Sequence, residues 1–264
     1  MHMEFATRSG SVWAATGGKS FNPVLPAVVF LHGAGMDHTA WTQPGRWFAH
    51  HGRSVLALDL PGHGRSAGAV PATIAGFAET VIDVLDAAGV ARAALVGHSL
   101  GSLVALETAA RHPGRVRALG LIGTSAWIPV NQTLLDAART ALPQAISMIV
   151  SWSFANRAVF GPSPNPGLSL TALGRQVLAR AAPGVLHADL SACNSYADGL
   201  ESARRVSCPT LVVSGELDRM TPAAASRTLA DAIPGARTIE LPGVGHMIPL
   251  EAPDAMLDAL RTLV

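Results

Sequence analysis

Three residues far apart in the chain stand in settings that could do chemistry: a serine, an aspartate and a histidine. Ser99 lies in Gly97-His98-Ser99-Leu100-Gly101. The run before it, Ala93-Ala94-Leu95-Val96, is apolar and β-prone, and Ser102 to Arg111 reads as a helix. A serine on a sharp strand-to-helix turn has its hydroxyl pushed out over the strand ends, where a nucleophile can meet substrate. The flanking glycines suit a turn whose backbone angles and close neighbours exclude side chains.

A serine hydroxyl is a poor nucleophile at neutral pH. It needs a base, best an imidazole held in one tautomer by a carboxylate. The base candidate is His246, in Gly243-Val244-Gly245-His246, just after the last β run. The acid candidate is Asp218, in Gly215-Glu216-Leu217-Asp218, after the preceding one. Glu216 competes, but it leaves the strand end too early, whereas Asp218-Arg219-Met220-Thr221-Pro222 leads straight into a helix. Thr124 and Ser125, after the strand ending at Gly123, offer no carboxylate. An oxyanion forming at an attacked carbonyl also needs N–H donors. The backbone N–H of Leu100 is one, and that of Ala34, in His32-Gly33-Ala34-Gly35, is the natural second.

The elements that must position these residues alternate. Apolar runs at 28–31, 55–58, 93–96 and 116–122 read as strands, and 39–50, 72–88 and 102–111 as helices. His2 to Thr16 reads as one or two strands broken near Ser9-Gly10-Ser11. This βα rhythm predicts an α/β fold with a mostly parallel sheet, and continuously apolar strands predict helices on both faces. From Trp127 to about Val206 the β signal disappears. Asn131–Leu142, Ala145–Phe154, Leu170–Ala182 and Leu186–Ala197 read as helices, interrupted by a Pro- and Gly-rich loop at Gly161–Gly167. The rhythm then resumes with strands at 210–213 and 238–241 and helices at 222–233 and 249–263. The expected organisation is a core of residues 1–126 and 207–264 with a helical cap, 127–206, inserted between two core strands.

Composition bounds the partners. The 264 residues are 49% hydrophobic and 14% charged, with 19 basic and 18 acidic side chains. This near-neutral balance, without a basic stripe, argues against nucleic acid and gives no sign of an anionic membrane target. No apolar stretch approaches a membrane span and the first residues carry no signal-like run, so a soluble, cytoplasmic protein is expected. Two cysteines, Cys193 and Cys208, are too few for a disulfide framework and read as buried or free thiols. Nothing has metal-ligand spacing or forms a phosphate-binding glycine loop, so no metal and no organic cofactor are expected. His32, His63, His98 and His50-His51 read as structural or surface residues. Neither a monomer nor a homodimer is favoured.

Taken together, His32-Gly33-Ala34-Gly35, Trp41, Asp59-Leu60-Pro61-Gly62-His63-Gly64-Arg65-Ser66, Gly97-His98-Ser99-Leu100-Gly101, Gly215 with Asp218, and Gly245-His246 resemble the α/β-hydrolase superfamily. The resemblance covers essentially the whole chain, the cap least. It is to the cap-bearing branch of esterases, lactonases, carbon–carbon bond hydrolases and cofactor-free haloperoxidases. It implies the α/β-hydrolase fold and a triad in the chain order Ser99, Asp218, His246. Some members use an aspartate nucleophile, cap tyrosines or a lysine near the triad. Here position 99 is serine, Tyr196 is the only tyrosine, and the only lysine, Lys19, lies far from any motif.

What remains is acyl transfer to water, or to peroxide in a perhydrolase-like variant. The leading expectation is a serine carboxylesterase acting on a small-to-medium, largely apolar ester. Lactonase and carbon–carbon hydrolase activities are alternatives; the latter would call on a cap arginine such as Arg157, Arg175 or Arg180. Trp127, Met148, Trp152, Tyr196, Met220 and Met247 are the expected pocket residues, with Phe154 and Phe160 also in the cap. A different class, a ligand-binding protein of this fold with little or no catalysis, is disfavoured because all three triad residues are present.

Overall fold

The computed structural model describes residues 1–156, 158 and 167–264. Its frame is an eight-stranded sheet in the order β1-β2-β4-β3-β5-β6-β7-β8. The strands are β1 (His2–Thr7), β2 (Gly10–Ala15), β3 (Ala27–Leu31), β4 (Ser54–Leu58), β5 (Ala93–His98), β6 (Val116–Ile122), β7 (Thr210–Gly215) and β8 (Arg237–Leu241). β1 pairs antiparallel with β2, and β2 with β4; every other pairing is parallel. This is the α/β-hydrolase architecture that the sequence predicts.

Burial follows composition. β3, β4, β5 and β7 are buried at every position, whereas β8, at the edge, is exposed over much of its length. Continuously apolar strands need cover on both faces. On one face, Phe77 and Val81 of α2 (Ile74–Ala87) join Leu103 and Leu106 of α3 (Leu100–Arg111). On the other, Phe48 of α1 (Thr42–His50) packs with Met256 and Leu260 of the last helix.

Between β6 and β7 every described element is a helix: α4 (Gln132–Thr140), α5 (Leu142–Ser153), α6 (Leu170–Leu178), α7 (Val185–Ser195) and α8 (Gly199–Arg205). Four correspond to expected helices. The seven-residue α8 is an addition; too short to show an apolar period, it is fixed by packing on α3. Residues 161–166 of the expected loop, with Arg157 and Phe160, lie outside the described residues. After α9 (Ala223–Ala232) and β8, the expected final helix is two, α10 (Ile248–Glu251) and α11 (Pro253–Arg261). Pro253 lacks the N–H a continuous helix would use, and Ala252 before it is extended away from helical angles.

The turn at Ser99 is where the fold commits to a site. Ser99 has φ 53° and ψ −120°, the sole positive φ at a non-glycine residue described. Its N–H donates to the Ile122 carbonyl at 3.0 Å, and the Ser102 hydroxyl donates to the Ser99 carbonyl at 2.6 Å. A side chain at Gly97 would strike the Gly101 carbonyl, and one at Gly101 would strike the carbonyls of Leu31 and His32. The two glycines let α3 start in contact with the ends of β3 and β5. Surrounding structure thus holds a strained serine, as expected where the hydroxyl must face a cavity rather than the sheet.

Candidate active site

Ser99, Asp218 and His246 come from three separate loops at the C-terminal ends of β5, β7 and β8, and all three are buried. Asp218 Oδ2 lies 2.8 Å from His246 Nδ1. The other carboxylate oxygen accepts the N–H groups of Met220 and Thr221, each at 2.8 Å, and the Thr221 hydroxyl donates to Oδ2 at 2.7 Å. Burial alone would raise the Asp218 pKa. The histidine beside it and these donors outweigh burial and hold it below the usual carboxylate range. A carboxylate in this state fixes Nδ1–H on His246 and leaves Nε2 able to take a proton. Nε2 is buried and without a hydrogen-bond partner among the described residues. Glu216, the competing acid, is exposed and accepts the Gly243 N–H at 2.8 Å.

Gly33, Ala34, Ser99 and His246 line one cavity of about 420 Å³. Leu100 is the first residue of α3, so its N–H belongs to the donors a helix start leaves unpaired within the helix. The Gly33 carbonyl accepts from Met36 N–H at 3.1 Å and pairs with His32 Nδ1 at 2.9 Å. The Ala34 N–H belongs to the same trans peptide as this carbonyl and points the opposite way.

This sheet, elbow and residue order match an established family. A model of the alpha/beta hydrolase fold matches residues 26–253. The chain belongs to the alpha/beta hydrolase family. It is 32% identical over 229 residues to a pimeloyl-[acyl-carrier protein] methyl ester esterase of Chromobacterium violaceum, covering 84% of this chain and 87% of that one. It is 29% identical over 261 residues to a putative carbamate hydrolase of Klebsiella pneumoniae, covering 90% and 91%. Among solved structures, the enol-lactonase of Burkholderia xenovorans superposes with a TM-score of 0.87 at 25% identity, covering 98% of both chains. These relatives are hydrolases by name, and the coarse class of this chain is a hydrolase of the alpha/beta fold.

Three of the six expected pocket residues line the cavity beside Ser99: Trp152, Met220 and Met247. The other three do not. Trp127 is 51% exposed, its indole N–H donating to the Asn194 carbonyl at 3.0 Å. Tyr196 is buried away from the cavity, its hydroxyl donating to Glu107 at 2.8 Å. Met148 is half-buried and packs against the hydrophobic cluster on that face of the sheet. An aromatic residue and a sulfur side chain can each pack a cap as readily as a pocket, and only helix orientation separates the two. The cavity takes instead Met36, Ile128, Leu134, Ile149, Leu178 and Leu190. Leu134, Ile149, Leu178 and Leu190 lie on α4, α5, α6 and α7, whose helical spacing marks them as an apolar face but not as one facing Ser99. Phe154 is buried in the core rather than on the cavity.

Cys193 also lines the cavity. Burial, with Asp189 nearby, pushes its thiol pKa up, so it stays protonated and is no rival nucleophile. Cys208 is a second, separate buried thiol. Among the described residues no group of three or more His, Cys, Asp or Glu side chains is placed to hold a metal ion, and no helix is long and apolar enough to cross a membrane.

The histidines around the site are braces. His98 Nε2 donates to the His246 carbonyl at 2.9 Å, fixing the base's backbone. His32 Nε2 accepts the Leu60 N–H at 3.1 Å, which leaves Nδ1–H to bond the Gly33 carbonyl. Both are buried and neutral. Burial and then the neighbouring His63 push His32 down to about 4; burial and then His246 push His98 down to about 3.

These depressed values carry a pH dependence. At pH 5 the unfolded chain protonates both histidines near their ordinary value, and the native state protonates neither. The contribution is complete above about pH 6.5 and is lost as pH falls toward 4 and 3. Two protons correspond to a slope of about 2.7 kcal/mol per pH unit near pH 5. Urea unfolding should show stability nearly level at pH 7 and falling with roughly this slope between about pH 5.5 and 4.5. A flat profile would mean that these imidazoles accept protons within the fold. His63 has its native pKa raised, so its contribution is present below its unfolded value and does not offset the loss at pH 5.

Proposed function

We propose that this hydrolase cleaves a small-to-medium, largely apolar carboxylic ester through Ser99, His246 and Asp218, by way of an acyl-enzyme. The observation that carries the reading is the convergence of a strained serine and a carboxylate-paired histidine on one apolar cavity. His246 Nε2 takes the Ser99 proton as Oγ attacks the acyl carbon. The oxyanion rests on the N–H groups of Ala34 and Leu100. When the tetrahedral intermediate collapses, the alcohol leaves with the proton from His246. Water then gives a proton to the same nitrogen and attacks the acyl carbon, and the acid departs as Ser99 Oγ is reprotonated.

In this reading residues 127–206 are a cap over residues 1–126 and 207–264. Its cavity-lining side chains are mostly apolar, Leu134, Ile149, Trp152 and Leu190 among them; Asn131 and Ser153 are polar, and Arg219 brings a charge to the same lining from outside the cap. The protein acts in a reducing cytoplasm, where two unpaired thiols persist. The superposition on an enol-lactonase favours lactone cleavage as a second reading, since the same attack opens a ring.

The test is turnover of a p-nitrophenyl ester series from acetate to decanoate, beside labelling of Ser99 by a fluorophosphonate. The expected result is steady turnover that peaks at a short or medium acyl chain and falls by decanoate. Labelling without ester turnover would move the substrate to lactones and perhydrolysis. Absence of both would defeat the serine-hydrolase reading.

A further inference from the structure

Asp189, on α7, is, like Asp59, a fully buried carboxylate with no part in the proposed proton path. It is 0% exposed and lies on the stretch between β6 and β7, 154 residues from its partner Gly35. Its Oδ2 accepts the Gly35 N–H at 2.8 Å and lies 2.7 Å from His63 Nε2. His63 Nδ1 in turn lies 3.0 Å from the Pro61 carbonyl. A carbonyl and a carboxylate can only accept, so both ring nitrogens of His63 must donate, and the pair is a buried imidazolium and carboxylate. Among the described residues Asp189 Oδ1 has no hydrogen-bond partner.

Gly33-Ala34-Gly35-Met36 is a tight turn closed by Met36 N–H to the Gly33 carbonyl, with Gly35 at φ 66°. A glycine of positive φ at the third position marks a type II turn. Types I and II differ by a flip of the central peptide, here Ala34–Gly35. The N–H of that peptide is the one Asp189 holds. A side chain at Gly35 would press on Leu178 of α6 and Leu186 of α7, so the turn lies directly against the cap.

We infer that Asp189 is a positioning residue: from the cap, it holds the Gly35 N–H and so anchors the turn whose preceding peptide, Gly33–Ala34, presents the Ala34 N–H to the oxyanion. The cap also grips the base, because the Ser153 carbonyl at the end of α5 accepts the N–H groups of His246 at 2.7 Å and Met247 at 3.1 Å. The helical insertion therefore holds the donor turn as well as enclosing substrate. The inference rests on the acyl-enzyme reading above.

The test compares Asp189→Ala and Asp189→Asn on p-nitrophenyl butyrate, with kcat divided by the fraction of protein labelled to completion by a fluorophosphonate. This normalisation removes misfolded protein from the rate. Asparagine keeps an oxygen where Gly35 N–H needs one; alanine does not. For Asp189→Ala, kcat per labelled site should fall about 10- to 100-fold with KM within about threefold, as for a misplaced transition-state donor. Asp189→Asn should recover most of it. The double variant Asp189→Ala/His63→Ala leaves no imidazolium without its partner and gives the same readout where the single variant does not fold. A kcat per labelled site unchanged by alanine overturns the inference, and so does an asparagine variant as slow as alanine. Wild-type protein that neither labels nor turns over defeats the acyl-enzyme reading instead.

Discussion

Ser99→Ala should yield a folded protein whose ester turnover is lower by on the order of 10⁴- to 10⁶-fold, with no fluorophosphonate labelling. The fold should survive because the turn is held by backbone groups. Ser99 N–H and carbonyl keep their bonds to Ile122 and Ser102, and alanine tolerates φ 53° no worse than serine does. Unfolding free energy is therefore expected within about 0.5 kcal/mol of wild type. The chemistry should not survive. Cys193, on the same cavity, offers no substitute, since its thiol is held protonated by burial. Residual rate would come from the N–H donors and from binding alone. Ordinary turnover in pure Ser99→Ala protein would remove the serine from the mechanism.

The second large effect concerns the acid. Asp218→Asn should lower kcat by about 10⁴-fold while KM and fold change little. The size follows from the direction in which the amide must point. In the native site one carboxylate oxygen accepts two backbone N–H groups, from Met220 and Thr221, and the other faces His246 Nδ1. Asparagine can satisfy the two N–H groups only with its oxygen, so its NH₂ is turned toward Nδ1. Nδ1 must then accept, the proton moves to Nε2, and the imidazole can no longer take the Ser99 proton. The Thr221 hydroxyl, 3.2 Å from Nδ1, is too weak an acceptor to restore the tautomer. Steady-state kinetics across pH 6–9 would check this. A loss confined to KM would place Asp218 outside the proton path.

The fold and the candidate residues Ser99, Asp218 and His246 were legible for a shared reason: both are written in local signals. Gly97 and Gly101 mark a place where backbones touch, and apolar runs such as Val28–Leu31 mark strands covered on both faces. The preference for Asp218 over Glu216 rested on its position at a helix entrance, and that entrance supplies the N–H groups that hold its carboxylate. The helices between β6 and β7 were legible as apolar periods, except α8, too short to have one. Their inner faces were not legible. Trp127 and Tyr196 were reasonable pocket residues by type. Trp127 is turned out to solvent, and Tyr196 is drawn to Glu107, which also accepts the Ser202 hydroxyl at 2.7 Å.

The sequence by itself determined the sheet, the strained serine between two glycines and the chain order of the proposed nucleophile, acid and base. Each follows from short-range sterics and hydrophobic period, which neighbouring residues decide. Tertiary structure alone decided which apolar side chains face Ser99, and that Asp189 and His63, 126 residues apart, meet as a buried ion pair beside the Gly35 N–H. An aspartate within a helical period carries no local sign of burial. Its place depends on how the helical insertion settles on the sheet, a sum of many weak contacts spread across the whole chain.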